Sequence, residues 1–517
     1  MKKSFRDFLA DLDAAGELGR YCVPVDVRDV SALCAQSRQA SLFETLKDYP
    51  GWRLAGALLT SRKRLALAMG CAEDEVARRF EEGLGRLIEP VIVEDAPCQQ
   101  VVLTGDAVDL AAIPYPIMHL FDGGPYLSGT FVVSKDPEFG RNCGSYRLMY
   151  RSSNETGIDL VSPSDMRLYY QRRLDQGKPL EIAVAIGCHP YEMLAASYKA
   201  PIDLDEYWVA GGLHGSPVPL AKCKTVDLEV PADAELVLEG ELLPIGWTAD
   251  EGPFGEFSQI SGDVKWNPIF RVKCITHRRN PIFYLLQMPW ENDWLAALVT
   301  EAAGLRALRN ASVQPVAIRA PVGSCGYWTL IASIRKRPGE GKNALLALLS
   351  IAEVKLAIVT DDDIDIHNPD DLDWAITFRV QADRDLIVVQ GARGKHIDPS
   401  IKSWELGKGG LPTTAKLGID ATIPEGVPKK LYRRIRVYGP RQGEARGVPM
   451  RLDMSPLAST LIREITDRPQ QFHELVDAHR EVPWPDFLRA WGELRRAEIL
   501  SRDEDGNYLI REANAAA

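Results

Sequence analysis

The sequence predicts a mixed α/β (α+β) fold: an N-terminal α/β region, a strand-rich centre, a C-terminal α/β domain and a helical tail. Three observations carry this. From Gln100 onward, short β-branched segments bounded by Gly, Pro or Asp have strand texture. Between Cys325 and Val389, strand-like and helix-like segments alternate, the order that covers a sheet with helices. Amphipathic helical spacing marks both ends of the chain.

The first helix is read from Ser4, a cap with Asp7 three residues on, followed by Phe5, Phe8, Leu9 and Leu12 at helical spacing. Further helices are expected around Leu42 to Leu46 and from Glu75 to Leu84. QVVLTG, LSGTFVVSK, LEIAVAIG, LVLEGELL and FRVKCITH follow as strands. YWTLIASI reads as a strand, KNALLALLSI as a helix, and LAIVTD and DLIVVQ as strands. Residues 391–426 are rich in Gly, Lys and Pro and read as a long functional loop. Beyond residue 456, two or three short helices precede a hairpin that turns at Glu504-Asp505-Gly506. Domain boundaries are expected at 1–99, 100–320, 321–455 and 456–517, in line with roughly 100–200 residues per domain.

Composition narrows the function classes. The chain has 517 residues, 45% hydrophobic and 26% charged, as in proteins with large cores. A net charge of -11 argues against broad nucleic-acid binding and against attraction to anionic membranes. Nine scattered cysteines with no C-x-x-C pair read as reduced thiols of a cytoplasmic protein. The N-terminal Asp7, Asp11 and Asp13 exclude a secretory apolar core. ALLALLSIAEVKLAIV is broken by Glu353 and Lys355 and is no membrane span.

Four segments carry candidate chemistry. In Glu251-Gly-Pro-Phe-Gly-Glu256, glycines and proline break the strand, so both carboxylates can converge on one cavity; a solvated turn is the plainer reading. Arg147, in Asn142-Cys-Gly-Ser-Tyr-Arg147, leads into apolar Leu148 and Met149 and needs a carboxylate partner if buried; an outward edge position is the alternative. Glu206 and Asn142 offer oxygen ligands for Mg²⁺ or Mn²⁺, while Asp203 or Asp205 equally reads as a helix cap. Lys416 in a Gly-rich stretch suits a phosphate without a Walker A pattern, or is a surface lysine.

Taken in order, DGGPYLSGTFVVSKDPEFGRNCGSYR, DEYWVAGGL, LVLEGEL, DEGPFGEFS, DDDIDI with DLDWAITFRV, and AKLGIDAT make the chain resemble the UbiD-like decarboxylases, from about Phe5 to Pro449. The resemblance implies a central flavin-binding split β-barrel and a prenylated flavin mononucleotide supplied by a separate flavin prenyltransferase. It implies reversible, non-oxidative decarboxylation through a covalent substrate–flavin adduct, with Arg147, Glu251 and Glu256 as the reacting network and Glu256 as proton donor. It places Asn142, Ser145, Tyr146, Arg147 and Lys416 against the cofactor. Asn142 and Glu206 match ligands of a divalent metal, and carbonyls of Ala195, Ala196 and Tyr198 match a potassium site. The third metal ligand is a histidine in that family; by spacing, VSPSDMRLYY puts Asp165 there, and aspartate also binds Mg²⁺ or Mn²⁺. A homodimer or homohexamer is expected by analogy.

The expected substrate is a small aromatic or heteroaromatic acid, with Phe257, Trp290 and Trp294 as ring-stacking candidates. An aromatic acyl-CoA thioester with a free carboxylate is the alternative. Two rivals lie outside this class: a binding protein with a winged-helix-like tail, weakened by that tail's many acidic residues, and a metal-dependent hydrolase on Asp361, Asp362, Asp363 and Asp365. His119, His214 and His396 are lone histidines with no assigned role.

Overall fold

The computed structural model describes residues 3–395, 397–401, 412–435, 457–496, 500–503 and 505–510. The chain divides into a unit of residues 1–422 and a unit of residues 423–517.

The larger unit begins with the helix Phe5–Ala14, capped by Ser4 and Asp7 in a reciprocal capping box. A four-stranded sheet follows, in the order Leu18–Tyr21, Ala40–Phe43, Arg53–Gly56 and Ile282–Leu285. The expected helix at 42–46 is therefore a strand. All four residues of Ala40–Phe43 are buried, so no alternation was available to mark it. A short apolar run of this kind does not distinguish the two structures by period. The helix Val76–Leu84 forms as expected.

The central sheet has nine strands. Its path runs Tyr126–Leu127, Leu148–Ser152, Glu155–Ile158, Ile269–His277, Leu236–Leu242, Leu180–Ile186, Thr130–Asp136 and Gly140–Gly144, with Val101–Thr104 added to Ile269–His277. Gly140–Gly144 and Leu148–Ser152 are consecutive in sequence yet near opposite ends of this path. Laid flat, six strand spacings would separate them by ~29 Å. The link Ser145-Tyr146-Arg147 reaches only ~14 Å between flanking Cα atoms. The sheet must therefore curl until its ends nearly meet. Among the described residues the end strands do not pair, so the curl stays open, and three residues cross its split.

Beyond the 21-residue helix Trp290–Asn310 lies a five-stranded sheet, in the order Pro315–Arg319, Thr329–Ile334, Leu356–Asp361, Thr413–Ala421 and Leu386–Arg393. The helices Glu340–Leu349 and Pro369–Arg379 connect its strands. Part of the expected loop at 391–426 is thus a strand, Thr413–Ala421, paired in parallel with Leu356–Asp361. Its low apolar content has a packing cause. A Cβ at Gly418 would lie 3.2–3.4 Å from Leu345 and Leu349 of the covering helix, so that helix seats on bare backbone. His396 lies outside the described residues.

The smaller unit has its own core of Leu461, Ile465, Leu475, Phe487, Leu494 and Tyr508. It consists of the helices Leu457–Asp467, Phe472–Ala478 and Trp484–Arg496 and the hairpin Leu500–Arg502 with Tyr508–Ile510. Glu504 of the expected turn is outside the described residues. Among the described residues no helix is long and apolar enough to cross a membrane.

Candidate active site

Arg147 ends the link across the split and gathers three carboxylates. Its Nε and Nη2 donate to Glu251 at 2.8 and 3.0 Å, a bidentate fork. Its Nη1 donates to Glu256 Oε1 at 2.9 Å, and Nη2 also lies 3.0 Å from Asp159. The guanidinium sits 4.6 Å from the Phe254 ring centre. Burial works against its charge, but Asp159, Glu251 and Glu256 outweigh that and hold it protonated. Glu251 is 0% and Glu256 6% exposed. The two weak local motifs are therefore one buried network, and neither the solvated turn nor the outward arginine is realised.

The loop between the glutamates explains the convergence. Glu251 ends the strand Ala249–Glu251 and pairs with Lys265 of Lys265–Asn267. Gly252 has φ +98°, and a Cβ there would lie 2.7 Å from the Asp263 carbonyl oxygen. The chain then folds back: Gly262 N–H donates to Phe254 O at 2.8 Å and Glu256 N–H to Ile260 O at 3.0 Å. Lys265 Nζ reaches Glu256 Oε1 at 3.2 Å. The Asp122 carboxylate accepts from Gly255 N–H at 2.9 Å and from His119. Burial disfavours protonated His119, yet bonds to Asp122 and the Met288 carbonyl raise its pKa overall. Asp159, Lys265 and Asp122 were not foreseen. Only the GPFG break hinted that this loop needs an external brace.

A second cluster lies on Gly140–Gly144 and the helix Glu206–His214. Asn142 Nδ2 donates to Glu206 Oε1 at 3.2 Å, and Cys143 N–H donates to Glu206 Oε2 at 2.7 Å. Asn142 Oδ1 is buried with no hydrogen-bond partner. Burial pushes Glu206 up to about 8, with the charges of Asp205 and Asp165 adding to the effect. Asp165, first residue of the helix Asp165–Asp175, is itself raised by burial. Among the described residues this buried amide oxygen has no donor and the Glu206 carboxylate no cation, a pair that suits a hard divalent ion. Asp205 caps the helix, accepting from Tyr207 N–H at 2.9 Å, and binds Arg141 at 2.5 Å. Tyr146 N–H donates to Thr130 Oγ1 at 3.2 Å, and Thr130 Oγ1 donates to Tyr146 O. Ser145 is half-buried beside it.

Other expected residues stand apart. Lys416 Nζ donates to the carbonyls of Leu349 and Ile351 at 2.8 and 2.6 Å, capping the end of the helix Glu340–Leu349. Ala195, Ala196 and Tyr198 lie at the C-terminal end of the helix Pro190–Ser197, where the Ala195 carbonyl accepts from Tyr198 N–H at 3.2 Å and the Tyr198 carbonyl from Ala200 N–H at 3.1 Å. Phe257 stacks on Trp328 (5.6 Å, 22°) and meets Tyr327 edge-on at 5.2 Å. Trp290 is 48% exposed and 6.3 Å from His119, and Trp294 packs half-buried against the core. Asp361 and Asp363 bind the buried Arg379 at 3.4 and 2.6 Å, so the acidic run braces a strand end. His214 pairs with Glu192 at 3.1 Å in the core.

Three family models match the chain in order. They are the N-terminal domain (9–84), the Rift-related domain (90–289) and the C-terminal domain (293–421) of 3-octaprenyl-4-hydroxybenzoate carboxy-lyase, or UbiD. The anhydromevalonate phosphate decarboxylase of Methanothermobacter thermautotrophicus is 31% identical over 409 residues, 78% of this chain and 93% of that protein. The UbiD-class enzyme HmfF of Pelotomaculum thermopropionicum, solved with FMN, superposes with a TM-score of 0.78 at 33% identity, covering 84% of this chain and 97% of that one. An evolved dimeric form of HmfF, solved with prFMN, gives 0.75 at 30% identity, covering 84% and 97%. The apo 3,4-dihydroxybenzoic acid decarboxylase AroY of Klebsiella pneumoniae gives 0.76 at 27% identity, covering 86% and 98%. With its three domain models matched in sequence and its fold shared with solved members, this chain belongs to the UbiD family of carboxy-lyases and is a decarboxylase.

Proposed function

We propose that the chain carries out reversible, non-oxidative decarboxylation of an aromatic or heteroaromatic acid, with a prenylated flavin at the split of the curled sheet. The observation that carries this is one guanidinium clamped between two buried carboxylates. The solved relatives support the cofactor, with FMN and prFMN bound in HmfF, and AroY supports the substrate class.

Bound there, the flavin supplies the electron sink that loss of CO₂ from an sp² carbon requires. The protein's own groups then handle charge and protons. Arg147 orients both carboxylates and sets their charge balance. Glu256 delivers a proton to the carbon that CO₂ leaves, while Glu251, held by the fork, keeps Arg147 in register. Lys265 adds a second cation beside Glu256.

Asn142, Glu206 and Asp165 would hold Mn²⁺ or Mg²⁺ beside the cofactor phosphate, supported by the unpaired Asn142 Oδ1. Ser145 and Tyr146 line the same crossing, and carbonyls of Ala195, Ala196 and Tyr198 would take K⁺. Lys416 would reach a phosphate only by leaving its two carbonyls. A flavin prenyltransferase supplies the cofactor, and the chain works as a homo-oligomer. The divisions at residues 99, 320 and 455 remain our proposed domain boundaries.

The Methanothermobacter relative favours a second reading, a phosphorylated acid as substrate. An aromatic acyl-CoA with a free carboxylate is a third, and a regulatory binding protein using the winged-helix-like tail at 456–517 is the reading from another class. Glu256→Gln tests the mechanism. It should keep the flavin spectrum and lose CO₂ release and substrate hydrogen exchange with D₂O. Turnover at the parent rate would remove Glu256 from the chemistry.

A further inference from the structure

Phe257 directly follows Glu256, and the rings around it lead to a set of cations that no step above uses. Lys395 Nζ lies 4.4 Å from the Tyr327 ring centre and 5.3 Å from that of Phe257. Aromatic faces hold an ammonium in place without cancelling its charge. Lys395 Nζ is 3.9 Å from Glu353 Oε1, the same oxygen that Lys199 Nζ contacts. Arg393 ends the strand two residues before Lys395. Lys395 and Lys199 therefore share one carboxylate, with the charge of Arg393 acting on both. Burial, and then the charge of Arg393, lower Lys395 to about 8, as expected for a crowded cation. Lys355 does not add to the excess, because Asp398 binds it at 2.7 Å. A small cleft lined by Trp328, Glu353, Lys355, Arg393, Lys395 and Thr414 opens beside these groups.

Among the described residues, the cations here outnumber the carboxylates. Phe257, next to Glu256 in the chain, carries Lys395 over its ring at 5.3 Å, which sets the cluster beside the loop that bears Glu256. We propose that Lys395, with Lys199 and Arg393, forms a subsite for a second anionic group on the substrate, a carboxylate or a phosphate, remote from the carboxylate that is lost. This rests on the decarboxylase reading above. It narrows the substrate to acids with two anionic ends.

The test is calorimetric binding to the flavin-loaded full chain, with benzoate, benzene-1,4-dicarboxylate and 4-phosphonooxybenzoate as probes. The parent should bind at least one dianion about 10- to 100-fold more tightly than benzoate, the range of a charge-assisted hydrogen bond. The tighter of the two identifies the anion. Lys395→Met should bring that preference to within about 3-fold, leave benzoate binding and flavin content unchanged, and be rescued in part by Lys395→Arg. No dianion preference in the parent would overturn the proposal, as would a preference that survives Lys395→Met with Lys199→Met. Loss of flavin from Lys395→Met would assign the cations to the cofactor phosphate and refute the substrate subsite. A parent that discriminates the probes yet releases CO₂ from none of a wide panel of acids would instead sink the decarboxylase reading and leave the anion site standing.

Discussion

Replacing Arg147 with alanine should unmake the loop at 251–262 before it unmakes anything else. Glu251 and Glu256 are almost wholly buried, and Arg147 supplies three hydrogen bonds to them. Removing one partner of a buried ion pair leaves an uncompensated charge, at a cost of about 3–5 kcal/mol. Lys265 relieves part of this at Glu256, and nothing equivalent reaches Glu251 among the described residues. Local opening should therefore be favoured by about 3 kcal/mol, which corresponds to roughly 100-fold faster amide exchange. The reporters are Glu256 N–H and Gly262 N–H, whose acceptors lie inside the loop. The sign with pH follows from burial. A buried carboxyl without its cation titrates higher than in the unfolded chain, so stability is lost as pH rises. After correction for intrinsic rates, the exchange defect should be larger at pH 8 than at pH 5. Hydrogen–deuterium exchange read by mass spectrometry resolves this segment. A change under 3-fold at both pH values would mean that the network is solvated, and the site would lose its physical basis.

Other outcomes follow from single residues. Asp293 is pushed up to about 7 by burial, from an ordinary 3.8, and its Oδ1 has no hydrogen-bond partner. It therefore costs stability as pH rises from about 4 through 7, up to about 4 kcal/mol. Asp293→Asn should raise the melting temperature at pH 8 and change it little at pH 4; an equal gain at both would contradict the assignment. Glu206→Gln should cut divalent metal retained by the flavin-loaded protein about 10- to 100-fold, as measured by elemental analysis, and unchanged metal would place the ion elsewhere. Asp363→Asn should leave CO₂ release within about 2-fold, since Asp363 is half-exposed and its partner Arg379 keeps Asp361. A large loss would revive the acidic run as a catalytic centre.

How much of this was legible in the sequence depended on how local the cause was. The Ser4 cap, the helix Val76–Leu84 and the alternation in the C-terminal domain are local, and they were read from spacing. The strand Ala40–Phe43 was not, because burial on both faces erased its period. Thr413–Ala421 was hidden because its polar and glycine content answers to the helix above it, not to its own propensity. At the site, Glu251, Glu256 and Arg147 were recoverable from their order along the chain. Asp159 and Lys265 were not, because they arrive from other segments and carry no motif. The sequence offers Phe257 to a substrate ring, and the fold gives it Trp328 and Tyr327 as neighbours, from a loop about 70 residues away. The split itself becomes legible only when sheet order is set against chain order. Three residues then have to join strands that lie six spacings apart in the sheet.

The central claim is tested most directly by producing the chain with and without a flavin prenyltransferase and measuring CO₂ release from a panel of aromatic, heteroaromatic and phosphorylated acids beside the absorption spectrum. The account predicts a flavin-coloured protein that releases CO₂ only when the prenyltransferase is present. A colourless protein inactive in both preparations, or equal activity in both, would contradict it.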